Sequence, residues 1–236
     1  MSIIISNGFT LTSSAAPVVG QSGTLITSPT IAGSITTVAQ SPFSGGGNSY
    51  SFPNSSASYI YAAGQVGFAF GTGDYTIEWF QYETDSNSFP RIFWYGSAPS
   101  LGMSFEGSYY LWPGASLLGT KGAITNAWHH YALVRISSRV YFYKDGTIVN
   151  SGGTANTTNI TDTTSNFVFG AKVGGLASEQ YGGYMTNIRI VKGLGVYTGN
   201  FTIPTSVVTE VANANPYGGS NTAAIPSGYT KLLLVP

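Results

Sequence analysis

The sequence predicts an all-β protein, a two-sheet antiparallel sandwich with an extended arm at its N-terminus. Three observations carry that prediction. First, Trp128–Gly146, WHHYALVRISSRVYFYKDG, reads as two apolar strands joined by a short turn and closed by a second turn at Asp145-Gly146. Second, short apolar or aromatic runs separated by glycine-rich turns recur from Tyr50 to the end of the chain. Third, no run long enough for a helix shows helical periodicity. In the first of these stretches, alternation puts His130, Ala132, Val134 and Ile136 on one side and His129, Tyr131, Leu133 and Arg135 on the other. A sheet with large side chains on both faces must be covered on both, so this hairpin belongs near the centre of the sandwich.

Taken in order, residues 1–48 carry no charged side chain and are rich in Ser, Thr, Gly, Ala, Val and Ile. Disordered segments are usually charged and poor in β-branched residues. This composition therefore fits an extended arm that adds strands to a neighbouring subunit better than a floppy leader. The run Ser41–Ser49, SPFSGGGNS, is the boundary linker, leaving 49–236 as one β domain. Within it, YSFPNSSASYI gives two strands about a turn near Pro53-Asn54. In GTGDYTIEWFQYE, a turn at Gly71–Asp74 opens a strand in which Ile77 and Trp79 oppose Thr76, Glu78, Phe80 and Tyr82. RIFWYGS, LGMSFEG and SYYLWPG make a meander, and Lys121–Asn126 leads into the central hairpin. Ser151–Ser165 is a polar loop or irregular edge. NFVFGAK, Tyr184–Val191 and Tyr229–Val235 supply the remaining strands. Many strands spaced by such turns make a jelly roll.

Composition excludes several classes of function. Nine basic residues balance nine acidic ones among 236, and charged residues are only 8%. No basic cluster exists to contact phosphates, so nucleic acid is not an expected partner. There is no cysteine, hence no disulfide, thiolate metal site or cysteine nucleophile. No stretch approaches the roughly 18 apolar residues of a membrane-spanning helix, and MSIIISNGFTLTSS lacks the basic start of a signal peptide. Low charge with a mean hydropathy of +0.11 suits an assembled state better than a free monomer.

The ordered set FGTGDYTIEWF, WHHYALVR, VYFYKDG, FVFGAK and GGYMTNIRIVKGLGVYTGNFTIP (Gly182–Pro204) resembles laminin-G-like, concanavalin-A-like jelly-roll domains, over roughly residues 50–236. The IRIVKG…YTGNFTIP ending resembles versions found in structural proteins of phages and large viruses. The resemblance implies two antiparallel sheets, and relatives that bind glycans, receptors or neighbouring virion proteins. Some of them hold calcium at the rim, and others hydrolyse glycans.

Candidate chemistry is sparse. Hydrolysis needs two carboxylates on one groove, roughly 5–9.5 Å apart. The nearest pair, Glu78 and Glu83, falls on opposite faces of a regular strand, so no catalytic residue is assigned. His129 and His130 also point apart and share no ion. One is expected to pack or hydrogen-bond within the sandwich, the other to sit by a sheet edge. Asp74, Asp85, Asp145 and Asp162 are loop residues that a rim calcium ion would use, the one cofactor the resemblance allows, although Asp145 already serves the hairpin turn. For glycan contact by aromatic faces the candidates are Trp94, Tyr95, Tyr109, Tyr110, Trp112, Tyr181 and Tyr184, about half of which alternation should bury. Tyr197 is expected to anchor the C-terminal loop. The Asn-x-Ser/Thr matches at Asn54, Asn156, Asn159 and Asn200 follow from composition alone.

The expected function is that of a non-enzymatic virion structural protein of a capsid, tail or fibre. It would be made in the host cytoplasm and fixed to other virion proteins by its arm, with the lectin-like body displayed outward. A homo-oligomer is expected, and a trimer would suit a fibre. The first alternative is a glycan-binding attachment protein that recognises the host surface; a polysaccharide hydrolase is the second.

Overall fold

A computed structural model describes residues 22–55, 57–84, 89–96, 100–172, 175 and 179–236. The strands, in chain order, are β1 (Thr30–Ala32), β2 (Thr36–Val38), β3 (Ser49–Pro53), β4 (Tyr59–Ala62), β5 (Tyr75–Glu83) and β6 (Arg91–Tyr95). Then follow β7 (Leu101–Phe105), β8 (Ser108–Trp112), β9 (Ser116–Thr120), β10 (Trp128–Ile136) and β11 (Arg139–Lys144). The last are β12 (Thr147–Ile148), β13 (Thr154–Ala155), β14 (Phe167–Phe169), β15 (Gly182–Lys192) and β16 (Thr230–Leu234). A single 3-10 turn spans Val66–Phe68, and among the described residues no helix is long and apolar enough to cross a membrane.

The strands form two antiparallel sheets, as the sequence predicted. One has seven strands in the order β1-β4-β14-β6-β7-β8-β9. The other has nine, built on β12-β11-β10-β5-β15-β3-β2, with β13 beside β11 and β16 beside β15. Alternation decides what lies between them. From the seven-stranded sheet, Ile60, Phe93, Tyr95, Met103, Phe105, Tyr109, Leu111 and Phe167 point inward; from the nine-stranded sheet, Tyr75, Ile77, Trp79, Tyr131, Leu133 and Phe142 meet them. Aromatic rings dominate this layer, with Tyr131 stacked on both Trp79 and Phe142.

The central hairpin sits where expected. The turn from β11 to β12 puts Asp145 at φ 49° and Gly146 at φ 73°, the paired positive values of a two-residue hairpin. Gly146 has a second reason to be glycine: a Cβ there would lie 2.1 Å from the carbonyl oxygen of Phe201. That contact belongs to the segment 193–229, which has no strand and lies over the outer face of the nine-stranded sheet. Val196, Tyr197, Phe201 and Ile225 pack there on Ala132, Val134, Tyr143 and Val191, and make a second, smaller core.

The described part of the 1–48 stretch adds its strands to this chain's own sheets. Thr30–Ala32 pairs with β4, Thr36–Val38 pairs with β3, and Ile26 bridges Leu232 in parallel. Gly33, at φ 70°, turns the chain from one sheet to the other in a place where a Cβ would meet Ala57. Residues 1–21 lie outside the described residues.

Candidate functional site

The outer face of the seven-stranded sheet is built from the positions that alternate with its core. Register lines up Tyr61, Val168, Trp94, Gly102 and Trp112 across β4, β14, β6, β7 and β8. Tyr59, Ser104 and Tyr110 share that face. A bulge between Arg91 and Phe93 lets Ile92 and Phe93 both pack inward while Trp94 stays outward. Tyr59, Tyr61, Tyr110 and Trp112 are partly exposed, and among the described residues no segment like 193–229 packs over them.

Trp94 is the floor of this row, at 6% exposure. Its ring lies over Gly102, where a Cβ would come within 2.7 Å of it. Trp112 stands beside it with ring centroids 5.9 Å apart. The Arg91 guanidinium is 5.4 Å from the Trp94 ring and 5.3 Å from the Trp112 ring. Arg91 also gathers two carboxylates from distant parts of the chain: it donates to Glu179 Oε1 from Nη2 at 2.7 Å and to Glu106 from Nη1. Ser104 donates to Glu106 at 2.6 Å and accepts from the Trp112 indole at 3.0 Å. Lys172 completes the group, its ammonium 5.2 Å from the Trp94 ring. The result is an aromatic strip with hydrogen-bonding groups beneath it, suited to a flat, hydroxyl-bearing ligand.

Of the seven aromatic candidates from sequence, Trp94, Tyr110 and Trp112 share this face. The same alternation turns Tyr95, Tyr109 and Tyr181 into the interior, out of reach of a surface ligand. Tyr95 donates to the carbonyl of Asp162, and Tyr181 to the carbonyls of Tyr82 and Tyr184. Burial pushes the Tyr109 phenol up to about 12. Tyr184 lies on the other sheet, where it packs on Tyr82 and Trp128 in a cross-strand cluster. Sequence reasoning missed Tyr59, Tyr61, Arg91, Glu106, Lys172 and Glu179. The alternating YIY of β4 carried a signal for the two tyrosines; the charged groups had none, because only packing brings them together.

The remaining polar groups hold the body together. Glu78 and Glu83 face no common groove. Glu83 pairs with Lys121, while Glu78 lies under the segment 193–229. There it accepts from Arg189 Nε at 2.8 Å and from the Tyr197 hydroxyl at 2.6 Å, and it lies 3.1 Å from His130 Nε2. Burial pushes this carboxyl up, but the Arg189 guanidinium, His130 and Tyr197 together outweigh it and hold it at about 2. Arg189 reaches on to the Thr209 carbonyl, so the cluster ties the covering segment to the sheet. His130 is thus buried. His129 sits at the strand's end between Thr125 Oγ1 and Asp145 Oδ2, at 2.6 Å from each.

The loop carboxylates considered for calcium are engaged locally. Asp74 accepts from Ser137 N–H, Asp145 from His130 N–H, and Asp162 from Thr164 and Ser165 N–H; Asp85 lies outside the described residues. At the rim, the carbonyls of Gly71, Gly73 and Thr158 converge on the buried guanidinium of Arg135 at 2.7–2.8 Å. Among the described residues no three His, Asp or Glu side chains gather around a metal-sized space.

The family model for the concanavalin A-like lectin/glucanases superfamily matches residues 54–194. No curated protein matches the chain. Among solved structures, Domain 4 of AbnA, a GH43 extracellular arabinanase from Geobacillus stearothermophilus in complex with arabinotriose, aligns at TM-score 0.52 and 16% identity, over 68% of this chain and 76% of that one. The binding domain of Paraclostridial Mosquitocidal Protein 1 aligns at TM-score 0.49 and 13% identity, over 70% of this chain and 42% of that one. Trypanosoma rangeli sialidase aligns at TM-score 0.48 and 16% identity, over 68% of this chain and 28% of that one.

Proposed function

The chain belongs to the concanavalin A-like lectin/glucanase superfamily, and from that premise we propose that it is a non-enzymatic glycan-binding module whose binding surface is the outer face of the seven-stranded sheet. One observation carries the proposal: the aromatic row Tyr61–Trp94–Trp112, its two ends partly exposed, with Tyr59 and Tyr110 beside it, on a sheet face that no other segment of the described residues covers as 193–229 covers the opposite sheet. Aromatic faces stack on the C–H surfaces of sugar rings, and the neighbouring hydroxyls and charged groups reach sugar hydroxyls. The AbnA domain, which shares the fold, was solved with arabinotriose, in keeping with this reading.

The setting we propose is a virion, with the body displayed by a capsid, tail or fibre protein for attachment to the host surface. The IRIVKG…YTGNFTIP ending and the uncharged stretch 1–48 support it. Display as a homo-oligomer, held to other virion proteins through the N-terminal segment, belongs to the same reading.

A glycan array probed with the full chain in its oligomeric form tests the binding. Trp112→Ala should abolish the signal, a loss of at least about tenfold in affinity as for other central aromatic anchors, while the protein stays folded by circular dichroism. A wild-type protein that binds no glycan overturns the reading. Immunogold labelling of particles tests the setting, and an unlabelled virion refutes it.

A further inference from the structure

In a chain so poor in charge, each cation on a candidate surface needs an account. Arg91 is fully engaged with Glu106 and Glu179. Lys172 is not: its ammonium rests over the Trp94 ring, and among the described residues it meets no carboxylate. The indole N–H of Trp94 is buried with no acceptor, whereas that of Trp112 donates to Ser104. A buried donor without a partner is costly, and native proteins rarely keep one unless another group completes it. Two donors, one of them cationic, therefore meet at a single ring in the floor of the aromatic row.

We propose that this floor is a subsite for the carboxylate of an acidic sugar. One carboxylate oxygen accepts from Trp94 Nε1–H and the other from Lys172 Nζ, while the sugar ring lies against Trp112. Lys172 has a flexible four-carbon stem, so its ammonium can leave the ring face to meet a carboxylate without moving the sheet. A charge-assisted hydrogen bond is roughly twice as strong as a neutral one, so the carboxylate gains over a neutral sugar that offers only hydroxyls. Gly102 takes part by default: any larger residue would lift Trp94 out of the floor.

This inference rests on the glycan-binding reading, and the experiment separates the two. Matched neutral, uronate-bearing and sulfated oligosaccharides are titrated calorimetrically into the full-length protein, its Lys172→Met variant and its Trp112→Ala variant. The uronate chain should bind at least about tenfold tighter than the neutral one. Lys172→Met should bring uronate affinity down to that of the neutral chain for the same variant, and leave the melting temperature unchanged. Neutral binding that Trp112→Ala abolishes, without any uronate preference, overturns this inference and leaves the glycan-binding reading intact. A uronate preference that survives Lys172→Met also overturns it. Equal affinity for the sulfated chain reduces the site to simple charge attraction and refutes the two-oxygen carboxylate assignment. If none of the three chains binds, both readings fall.

Discussion

Replacing Glu78 by Gln removes the one negative charge from a cluster that holds Arg189, His130 and Tyr197 beneath the segment 193–229. Two routes give the magnitude. The carboxyl titrates at about 2 against an ordinary 4.5, a difference worth roughly 3 kcal/mol to the folded state. Independently, removing one partner of a buried ion pair costs about 3–5 kcal/mol, because the surviving charge is left uncompensated. Arg189 is 3% exposed and cannot turn to water. For a protein of this size such a loss lowers the melting temperature by about 6–20 °C. The pH dependence has a definite sign. A carboxyl depressed on folding contributes in full above about pH 4.5, and its contribution fades as pH falls toward 2. Wild type and Glu78→Gln should therefore differ most near neutrality and converge below pH 3 in urea unfolding followed by circular dichroism. Hydrogen exchange should quicken across 193–229 in the variant, since Arg189 also donates to Thr209. A stability gap under about 1 kcal/mol at pH 7, or one that stays constant down to pH 2.5, would refute the reasoning.

Three further substitutions probe the rest of the molecule. Gly102→Ala places a Cβ 2.7 Å from the Trp94 ring and should cost about 1–3 kcal/mol by overpacking, with a changed tryptophan fluorescence spectrum; an unaltered spectrum would show that the ring does not lie on Gly102. Arg135→Gln strips donors from the Gly71, Gly73 and Thr158 carbonyls and should lower stability by about 3 kcal/mol in chemical denaturation, roughly 1 for each bond lost. Tyr181→Phe should cost about 1 kcal/mol and leave glycan binding untouched, the opposite pattern from Trp112→Ala.

What could be read from the sequence follows from what strand periodicity encodes. Alternation assigned Ile77 and Trp79 to one face of β5 and Glu78, Phe80 and Tyr82 to the other, and it separated His129 from His130. The Asp-Gly turn was legible because few residue pairs tolerate two positive φ values; its counterpart at Ser137-Ser138 has the same geometry (φ 49° and 62°) without a glycine to announce it. Other features depend on partners far along the chain. The bulge at β6 changes which of Ile92, Phe93 and Trp94 points outward, and no local pattern marks it. Past the bulge alternation resumes, so Trp94 and Tyr95, adjacent and equally aromatic, end in different layers. The strand Ser116–Thr120 went unread, since its Leu-Leu-Gly core has no alternation. Most of all, the segment 193–229 reads as connection and turns, yet it builds a second core on the outer face of the nine-stranded sheet by seating Tyr197 and Phe201, stacked with centroids 3.6 Å apart, over β10 and β11. Loop composition says nothing about what a loop lies on.

Arg135 has an environmental consequence. Where carbonyl oxygens at a rim converge on a bound ion, the shape of that rim is tied by mass action to the ion's concentration outside, and a chelator can dissolve it. Here the positive charge that gathers Gly71, Gly73 and Thr158 is delivered covalently, one per molecule, at synthesis. This corner of the body should keep its shape in brine, in fresh water or in a citrate buffer alike, indifferent to the ionic inventory of whatever medium it meets.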